Sequence, residues 1–429
     1  MLDIELFRNN IDKILDSEKK RFKDPSNAEK VFEYDRKWRG AITKYQELKK
    51  KHNETSRQIG KFKKAGKTYE AEEAIRATKE LKEQIDELEQ LKQEFLEQRE
   101  KYRYIVGNLL HESVPVGETE ENNEIIRISG TLPKFNFTPL NHVELIETID
   151  GVDTKKASEI VGSRFYYLKG DLVSLNLALM RFALEFLEKK GYYPLWTPFF
   201  IKHDVIKAAA ELADFEEQLY KIQDEDLFMI ATSEQTIAAY HYDEIIEPER
   251  LPIKYAGISS CFRREAGSHG KDTLGIFRVH RFEKVEQYIF CKPEESWKFH
   301  EELIKNAEEI YTQLELPYRI VNIASGELND NAAKKYDLEG WFPASKNYRE
   351  LVSCSNCTDY QARKLKIRIG KVGTNQPKEI LHTLNSTAIA TSRTICCILE
   401  NYQNEDHSIS IPLVLQKYMN GKKVIKAIK

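Results

Sequence analysis

The sequence predicts an α+β protein with two unlike parts: a long antiparallel pair of helices, then a larger domain on a mostly antiparallel sheet flanked by helices. Residues 27–104 contain no proline and three glycines, and apolar side chains recur there at the three- and four-residue spacings of a helical seam. From about residue 105 prolines, glycines and short strand-like runs appear, among them 253–262 and 279–290. Neighbouring strands with few helices between them favour an antiparallel sheet over a doubly wound one.

The helical part reads as a coiled-coil hairpin. The seam of its first helix runs through Val31, Tyr34, Trp38, Ala41, Tyr45, Leu48, His52, Thr55, Ile59 and Phe62, and that of its second through Leu81, Ile85, Leu88, Phe95 and Tyr102. The short segment Ala65-Gly66-Lys67 separates them, which predicts that the second helix folds back on the first. About 37 residues per helix, at ~1.5 Å each, predict an arm of roughly 55 Å that projects from the body. We expect a domain boundary near 108, with residues 1–108 and 109–429 as the two domains.

Charge is concentrated at the far end of this hairpin. The basic residues there are Lys49, Lys50, Lys51, Arg57, Lys61, Lys63, Lys64 and Lys67, against the single acid Glu54. The returning helix is acidic, so one interpretation is a solvated coiled coil whose helices pair through opposite charges. The other is a tip that binds a phosphate backbone by displacing condensed counterions. The charge pattern alone leaves both open.

Composition and net charge say more about the cellular compartment of the protein than about its activity. The net charge is only −3, so total charge indicates no nucleic-acid partner. The N-terminus begins Met-Leu-Asp-Ile-Glu, unlike a signal peptide, and no stretch approaches the roughly 20 apolar residues of a membrane span. Six cysteines without a framework spacing predict a reducing cytoplasm. Cys354 and Cys357 have a zinc-knuckle spacing but no second pair follows, so we expect no zinc.

Candidate reactive residues lie on a predicted hairpin and on two later segments. Arg263 and Glu265 follow one strand, and on the returning strand positions 278, 280, 282, 284 and 286 share a face because side chains alternate. That face presents Arg278, Phe282 and Glu286, which suits a nucleotide and a polar substrate better than a core, where unpaired charges are costly. The alternative is a surface hairpin that is held together by pairing between Arg and Glu side chains.

Two further segments give weaker evidence for reactive residues when each is considered alone. Glu350 and Ser353 offer hard oxygen ligands of the kind that Mg²⁺ prefers beside a polyphosphate, although each could be an ordinary polar strand residue. Small and hydroxylated residues at 385–392 lead into a helix whose first turn carries Arg393. That helix could direct the cation into a cleft, or it could be an N-capped core helix with a solvated arginine.

Taken together, these segments resemble class II aminoacyl-tRNA synthetases, and within them the seryl-tRNA synthetases. The resemblance covers essentially the whole chain: the arm, 191–200 with Pro198 at the place of the dimer-interface proline, Ala231-Thr232-Ser233-Glu234, the Phe-Arg-x-Glu hairpin, 353–363 and 385–393. The run 353–363 is similar to the archaeal and eukaryotic cytosolic branch. Leu274 departs from the arginine of many bacterial members, so a supporting contact with ATP or tRNA is in doubt.

The resemblance implies an ATP-dependent ligase with named binding residues. ATP would contact Arg263, Arg264, Glu265, Arg278, Val279, Phe282, Glu350, Leu351, Val352, Ser353 and Arg393, with Arg263, Arg278 and Glu350 in the catalytic roles. Serine would contact Thr232, Ser233, Glu234, Arg263, Glu286, Asn385 and Thr387. Glu350 and Ser353 would hold Mg²⁺ with the ATP.

The same resemblance implies the partners. The basic residues of the tip would bind the long variable arm that serine tRNAs share, a shape-based mode of RNA recognition, and the loop 266–275 would guide the acceptor end. Selenocysteine tRNA stays open as a second substrate. A cytoplasmic homodimer is expected. Two alternatives are a paralogue that passes serine to a carrier protein, against which the arm counts, and a coiled-coil scaffold with a decayed catalytic fold, against which the filled site positions count.

Overall fold

The computed structural model describes residues 1–209, 218–265, 274–371, 373 and 378–428. The chain divides into two compact units, Met1–Leu109 and Leu110–Lys429. The helices of the first unit are α1 (Ile4–Asn9), α2 (Ile11–Lys20), α3 (Ser26–Lys64) and α4 (Thr68–Ile105). Helices α3 and α4 are 39 and 38 residues long and pack against each other along their length, which confirms the predicted hairpin.

The turn at the end of α3 has a local cause. The amide of Lys67 donates to the carbonyl of Phe62 at 3.0 Å, and that of Gly66 donates to Lys63 at 3.3 Å. This pair of bonds is a Schellman motif, which needs a left-handed residue after the helix, and Gly66 supplies it with φ +70°. All predicted seam residues are buried or half-buried.

A buried carboxylate joins the near ends of these helices. Asp35 in α3 is 1% exposed and accepts from Arg8 of α1 at 2.8 and 2.9 Å. It also accepts from Arg99 of α4 at 3.0 Å and from Arg39 at 2.9 Å. Three guanidinium groups thus compensate one desolvated charge, and the contact ties three helices together.

The second unit is built on an eight-stranded sheet. Its helices are α5 (His142–Thr148), α6 (Thr154–Ile160), α7 (Asp171–Lys189), α8 (His203–Ala209), α9 (Ser233–Ala238), α10 (Ser296–Gln313), α11 (Tyr360–Lys364), α12 (Thr391–Asn401) and α13 (Leu413–Gln416). Its strands are β1 (Glu124–Ser129), β2 (Val152–Asp153), β3 (Tyr167–Leu168), β4 (Tyr193–Trp196), β5 (Phe200–Lys202), β6 (Leu227–Met229), β7 (Ile245–Ile246), β8 (Ile253–Phe262), β9 (Arg281–Cys291), β10 (Tyr318–Asn322), β11 (Lys334–Phe342), β12 (Asn347–Asn356), β13 (Arg368–Ile369), β14 (Glu379–Ile380), β15 (His382–Ala390), β16 (Ile409–Ser410) and β17 (Val424–Ile425).

The large sheet has the order β1-β10-β11-β12-β15-β9-β8-β4. Every neighbouring pair is antiparallel except β4 and β8, which are parallel. The main core packs apolar faces of α7, α10 and α12 against these strands. The mostly antiparallel α+β architecture predicted from the sequence is therefore confirmed.

One local expectation needs correction. Strand β9 begins at Arg281, so Arg278 and Val279 precede the strand instead of lying in it. The predicted alternation from 278 to 286 therefore holds only for the positions from 282 onward. After β9, a 3₁₀ turn, Pro293–Glu295, leads into α10.

Candidate active site

A polar cleft of about 310 Å³ lies where β9, β12 and β15 run side by side. Phe282, Lys284 and Glu286 reach it from β9, since they alternate along one strand face. Arg263 and Glu265 enter just after β8, and Arg278 enters just before β9. Further lining residues come from β11, β12, β15 and the N-terminal ends of α9 and α12, among them Lys335, Glu350, Ser353, Ser355, Asn385, Thr387, Thr232, Glu234 and Arg393.

Two β-bulges bring residues of both strand faces into this cleft. In β12 Val352 pairs with Leu338 and Glu350 pairs with Glu339, which leaves Leu351 as the extra residue. Glu350 and Ser353 are three positions apart and would face opposite ways in a regular strand, yet both line the cleft. A second bulge at Ala388 of β15 acts in the same way between Thr387 and Ala390.

One end of the cleft is rich in guanidinium groups. The Arg263 guanidinium lies 5.3 Å from the Phe282 ring centroid, and its Nε donates to the carbonyl of Ala231 at 3.3 Å. Arg278 Nη1 lies 3.7 Å from Glu265 Oε2, and its buried Nε has no hydrogen-bond partner in the described part of the chain. Such buried donors suit an anion, because leaving them unsatisfied is costly.

Arg393 is fixed by strand β12. Its Nη1 donates to the Glu350 carbonyl and lies 3.1 Å from Glu350 Oε2. The Glu350 side chain is 46% exposed within the cleft. Burial by the surrounding protein raises the pKa of the Glu350 carboxyl, but Arg393 and Lys335 outweigh that effect and hold the pKa at about 2. The carboxylate is therefore charged throughout the neutral range.

The opposite end of the cleft is dry and contains two carboxyl groups. Glu286 accepts from Lys284 Nζ at 2.6 Å and from Thr387 Oγ1 at 3.4 Å, and both charged side chains are almost fully buried. Glu234 accepts from Asn385 at 3.0 Å and from Gln361 at 3.2 Å. Such a pair of acids beside one lysine suits a small ligand that brings a further positive charge.

Burial also sets how these two acids titrate. Burial, together with repulsion from Glu286, raises the pKa of Glu234 to about 7. Burial raises the pKa of Glu286 as well, although the Lys284 ammonium opposes the shift. The two carboxyl groups therefore share a region in which a second negative charge is unfavourable until a cation arrives.

Glu350 and Ser353, the two residues predicted to hold Mg²⁺, both line the cleft. Asp337 of β11 pairs with Ser353 across the strands, and burial raises the pKa of the Asp337 carboxyl to about 7. A charged carboxylate, a hydroxyl and room for phosphate oxygens suit Mg²⁺, which keeps most of its shell from water and ligand. No group of three or more His, Cys, Asp or Glu residues that could hold a metal ion occurs in the described ranges, and all six cysteines, which fall within those ranges, are buried and unbridged.

Three predicted site residues lie outside this cleft. Arg264 lines a separate cavity with Tyr220 and Lys221. Ser233 is buried where α9 packs on β8. Its Oγ packs closely on Gly257 of that strand, where an added Cβ would lie only 3.1 Å from it. Val352 is buried in the core because consecutive strand residues face opposite ways, and its neighbour Ser353 faces the cleft. The other predicted ATP and serine residues, including Val279 and Leu351, line the cleft.

The sequence reasoning missed several residues that complete the site. Lys284 is the ion-pair partner of Glu286, and the alternation argument already placed position 284 on the correct face. Gln361 and Lys335 had no local signal, because they arrive from α11 and β11 through the tertiary fold. Phe277 was also missed. Its ring centroid lies 3.7 Å from the Arg349 guanidinium and 5.1 Å from the Arg393 guanidinium.

The predicted RNA-binding residues of the first unit are all exposed. In the described chain Lys67 forms an ion pair with Glu70 at 3.4 Å, within one helical turn of α4. Residues 266–273 of the loop expected to guide an acceptor end lie outside the described residues. No helix among the described residues is long and apolar enough to cross a membrane.

Comparison with known proteins covers both units. A model of the seryl-tRNA synthetase N-terminal domain matches residues 1–110, and a model of the tRNA synthetase class II core domain (G, H, P, S and T) matches residues 218–402. The serine–tRNA ligase of Methanosphaera stadtmanae is 59% identical over 427 residues, with 100% of both chains covered. The cytoplasmic serine–tRNA ligase of Arabidopsis thaliana is 48% identical over 433 residues, covering 98% of this chain and 95% of the relative.

A solved structure agrees with the same comparison. The seryl-tRNA synthetase from Pyrococcus horikoshii, complexed with ATP, superposes with a TM-score of 0.95 at 41% identity and with 100% of both chains covered. Archaeal and eukaryotic cytosolic relatives thus both match over nearly the whole length, as the run 353–363 predicted.

Proposed function

The chain belongs to the seryl-tRNA synthetases, a family of class II aminoacyl-tRNA synthetases, and we propose that its cleft activates L-serine with ATP and then transfers the seryl group to the 3′ end of a serine tRNA. In the first step a serine carboxylate oxygen attacks the α-phosphorus of ATP, and pyrophosphate leaves with the electrons of the broken P–O bond. In the second step a ribose hydroxyl of the tRNA attacks the seryl carbonyl, loses its proton and releases AMP. The observation that carries the proposal is the convergence of Arg263, Arg278 and Glu286 on one cleft.

The guanidinium groups suit the first step. Charge builds up on the phosphoryl oxygens during the displacement, so fixed cations contribute more than a base. Arg263 would bridge the α-phosphate and the serine carboxylate, and Arg278 would hold the γ-phosphate. Adenine would lie between Phe282 and Arg393, with Glu265 accepting from its amino group.

Glu350 and Ser353 would hold Mg²⁺ when ATP is bound. The ion supplies neutralisation of the negative charge on the departing pyrophosphate. Arg393 already touches the Glu350 carboxylate, so one residue links the adenine end to the metal ligands. The bulge at Leu351 supports this assignment, because it turns both ligands to the same side.

The buried acids suit serine. Thr232 and Glu234 would hold the ammonium group, and Glu286, with Asn385 and Thr387 beside it, would accept from the hydroxyl. Alanine would leave that desolvated carboxylate without its donor, a penalty that discriminates more strongly than one methyl group of extra size. Threonine would have to be rejected by size, which is the weaker filter.

The first unit would bind the long variable arm of the tRNA. Its exposed lysines and arginine at 49–67 match a phosphate backbone better than intramolecular pairing, because among them only Lys67 has an ion-pair partner within the described residues. Selenocysteine tRNA would be charged too if its variable arm fits the same tip.

We further infer a cytoplasmic homodimer. Strand β4 is an edge of the large sheet, and it exposes Tyr193 and Trp196 at 67% and 78%. Helix α7 exposes Leu177 nearby in sequence at 56%. Exposed aromatic residues on an unpaired sheet edge favour burial against a second copy. Trp196→Asp should therefore give a monomer in sedimentation, and an unchanged mass would contradict this interface.

The two steps can be separated by experiment. Arg263→Ala should abolish serine-dependent exchange of pyrophosphate into ATP. Alanine at Lys61, Lys63 and Lys64 should leave that exchange near wild type and cripple tRNA charging. The matched control is alanine at Lys79, Lys82 and Lys101, which are exposed lysines elsewhere on α4 and should leave both activities intact. A parallel loss of exchange and charging in the tip variant would contradict the proposed division of labour.

A further inference from the structure

Arg264, which follows Arg263 of the reaction cleft in the chain, lines a second cavity. Arg263 and Arg264 are consecutive, so their Cα atoms are about 3.8 Å apart, but the two side chains enter different cavities. The amide of Arg263 donates to the His280 carbonyl at 2.9 Å, while that of Arg264 donates to the Gln218 carbonyl at 2.8 Å. The backbone is thus held on both sides, and Arg264 is directed away from the ATP cleft.

This second cavity has a volume of about 770 Å³ and a mixed lining: His203, Leu219, Tyr220, Lys221, Asp226 and Phe228 with Arg264. The size lies within the range of small-ligand pockets, roughly 300–1,000 Å³. Two contacts hold Tyr220 in position: its Oη lies 2.9 Å from His280 Nδ1, and its carbonyl accepts from the Met229 amide at 2.9 Å.

The two cations of this cavity are available to a ligand. Arg264 and Lys221 are exposed, and within the described residues neither has a hydrogen-bond or ion-pair partner for its charged group. The Lys221 ammonium does lie 5.9 Å from the Phe228 ring centroid, and this contact positions the lysine side chain. One carboxylate, Asp226, opposes them, and His203 lies 3.6 Å from Asp204. The cavity therefore combines two free cations, aromatic rings and one acceptor.

That combination fits a single-stranded nucleotide. Cations take phosphate oxygens, aromatic rings stack on bases of any type, and a carboxylate can accept from the exocyclic amino group of cytosine. Unpaired bases at RNA ends are recognised in this way far more often than bases inside a helix. A purely electrostatic patch would need neither the rings nor the acid.

The proposed transfer step requires such a ligand close to the reaction cleft. The last nucleotide of the tRNA must place its ribose hydroxyl beside Arg263, in a cleft already filled by serine and AMP. The nucleotides before it must then lie on adjoining surface. The Arg264 cavity adjoins the cleft at its closest point along the chain, the step from Arg263 to Arg264.

We propose that the Arg264 cavity binds the unpaired cytidines that precede the terminal adenosine of the tRNA acceptor end. Arg264 and Lys221 contact their phosphates, Tyr220 stacks on a base, and Asp226 accepts from a cytosine amino group. The proposal rests on the proposed transfer of serine to tRNA, and it names the subsite that this step uses.

The test compares two tRNA probes on the full chain. One is a serine tRNA transcript ending in CCA, and the other is the same transcript without its last three nucleotides. Arg264→Ala and Lys221→Ala should each weaken binding of the complete tRNA by about three- to tenfold, as for partly screened charge contacts. Neither should change binding of the shortened tRNA. For the complete tRNA the log–log salt slope should fall by about 0.7 for each phosphate that the variant leaves without its cation.

Controls separate this proposal from the function on which it rests. Lys305→Ala removes an exposed cation on α10 and should bind both probes as wild type does, and Arg264→Lys should keep most of the affinity. Equal weakening of both probes, or no change in either, overturns the proposal, as does a loss of pyrophosphate exchange in Arg264→Ala, which would return Arg264 to the ATP site. Absence of serine-dependent exchange in the wild-type protein would instead refute the proposed function.

Discussion

Glu286→Gln is the substitution with the sharpest expected outcome. The carboxylate is 2% exposed and accepts from Lys284 at 2.6 Å and Thr387 at 3.4 Å. A hydrogen bond to a charged group contributes about 1.5–3 kcal/mol, and the amide keeps the shape while removing the charge. If this acid binds the serine hydroxyl in the transition state, kcat/KM for serine should fall roughly 10- to 150-fold, since about 1.4 kcal/mol corresponds to a factor of ten. The KM for ATP should stay within about twofold, because the contact is remote from the triphosphate.

The same change should also destabilise the fold, because Lys284 is left buried beside a neutral partner. Breaking a buried ion pair on one side costs about 3–5 kcal/mol, and an amide that still accepts a hydrogen bond should reduce this cost. The double variant Glu286→Gln/Lys284→Met removes both charges and should recover much of the thermal stability. It should not recover serine use, which separates the two roles of Glu286.

Pyrophosphate exchange at varied serine and varied ATP, with melting curves on the same preparations, measures all three quantities. Equal increases in the serine and ATP requirements would remove Glu286 from serine recognition. Recovery of serine use together with stability in the double variant would show that the acid acts only through folding.

Four further outcomes follow from the same cleft. Because the pKa of Glu234 is raised to about 7, kcat/KM for serine should rise as pH increases toward 7 and then level, and Glu234→Gln should flatten that rise in exchange assays. The raised pKa also means that the folded chain binds more protons than the unfolded one between about pH 4.5 and 7, so the free energy of unfolding should fall as pH rises across that window in denaturant titrations. Gly275→Ala should raise the KM for ATP and not that for serine, since φ is +70° and the new Cβ would lie 3.1 Å from His142 and Val143, displacing the segment that carries Arg278. Glu350→Ala should raise the Mg²⁺ concentration needed for half-maximal exchange by roughly 10–100-fold, and an unchanged requirement would remove Glu350 from the metal site.

The helical hairpin and the strand β8 could be predicted from sequence because their signals are local. Seam spacing and a glycine turn specify α3 and α4 within two residues of the predicted limits. Alternation along β9 likewise placed Phe282 and Glu286 together. It also placed Lys284 there, but alternation specifies only the face of a side chain and not its partner, which for Lys284 is Glu286 at 2.6 Å.

The bulges could not be predicted in the same way. Whether Leu351 or a neighbour is the extra residue depends on the register with β11, which is a property of the partner strand. Without it, spacing alone would put Glu350 and Ser353 on opposite faces. The assignment of Arg264 to the ATP site was wrong for a related reason. Strand alternation no longer applies after the last residue of β8, and the hydrogen bond that the Arg264 amide donates to the Gln218 carbonyl decides the direction of the side chain.

Exposure differs along the cleft in a way that suits the two substrates. Glu286 and Lys284 are 2% and 7% exposed, while Arg278 and Glu350 are 36% and 46% exposed. Charges attract more strongly where water is excluded, but they are also costly to leave unpaired there. The dry end therefore discriminates: a ligand without both an ammonium and a hydroxyl leaves buried acids unsatisfied. The wetter end has the opposite requirement, since pyrophosphate must be held during the displacement and then released. Cations that water can reach bind a polyphosphate firmly enough to neutralise it and still let it depart, whereas three fully buried arginines would retain the product.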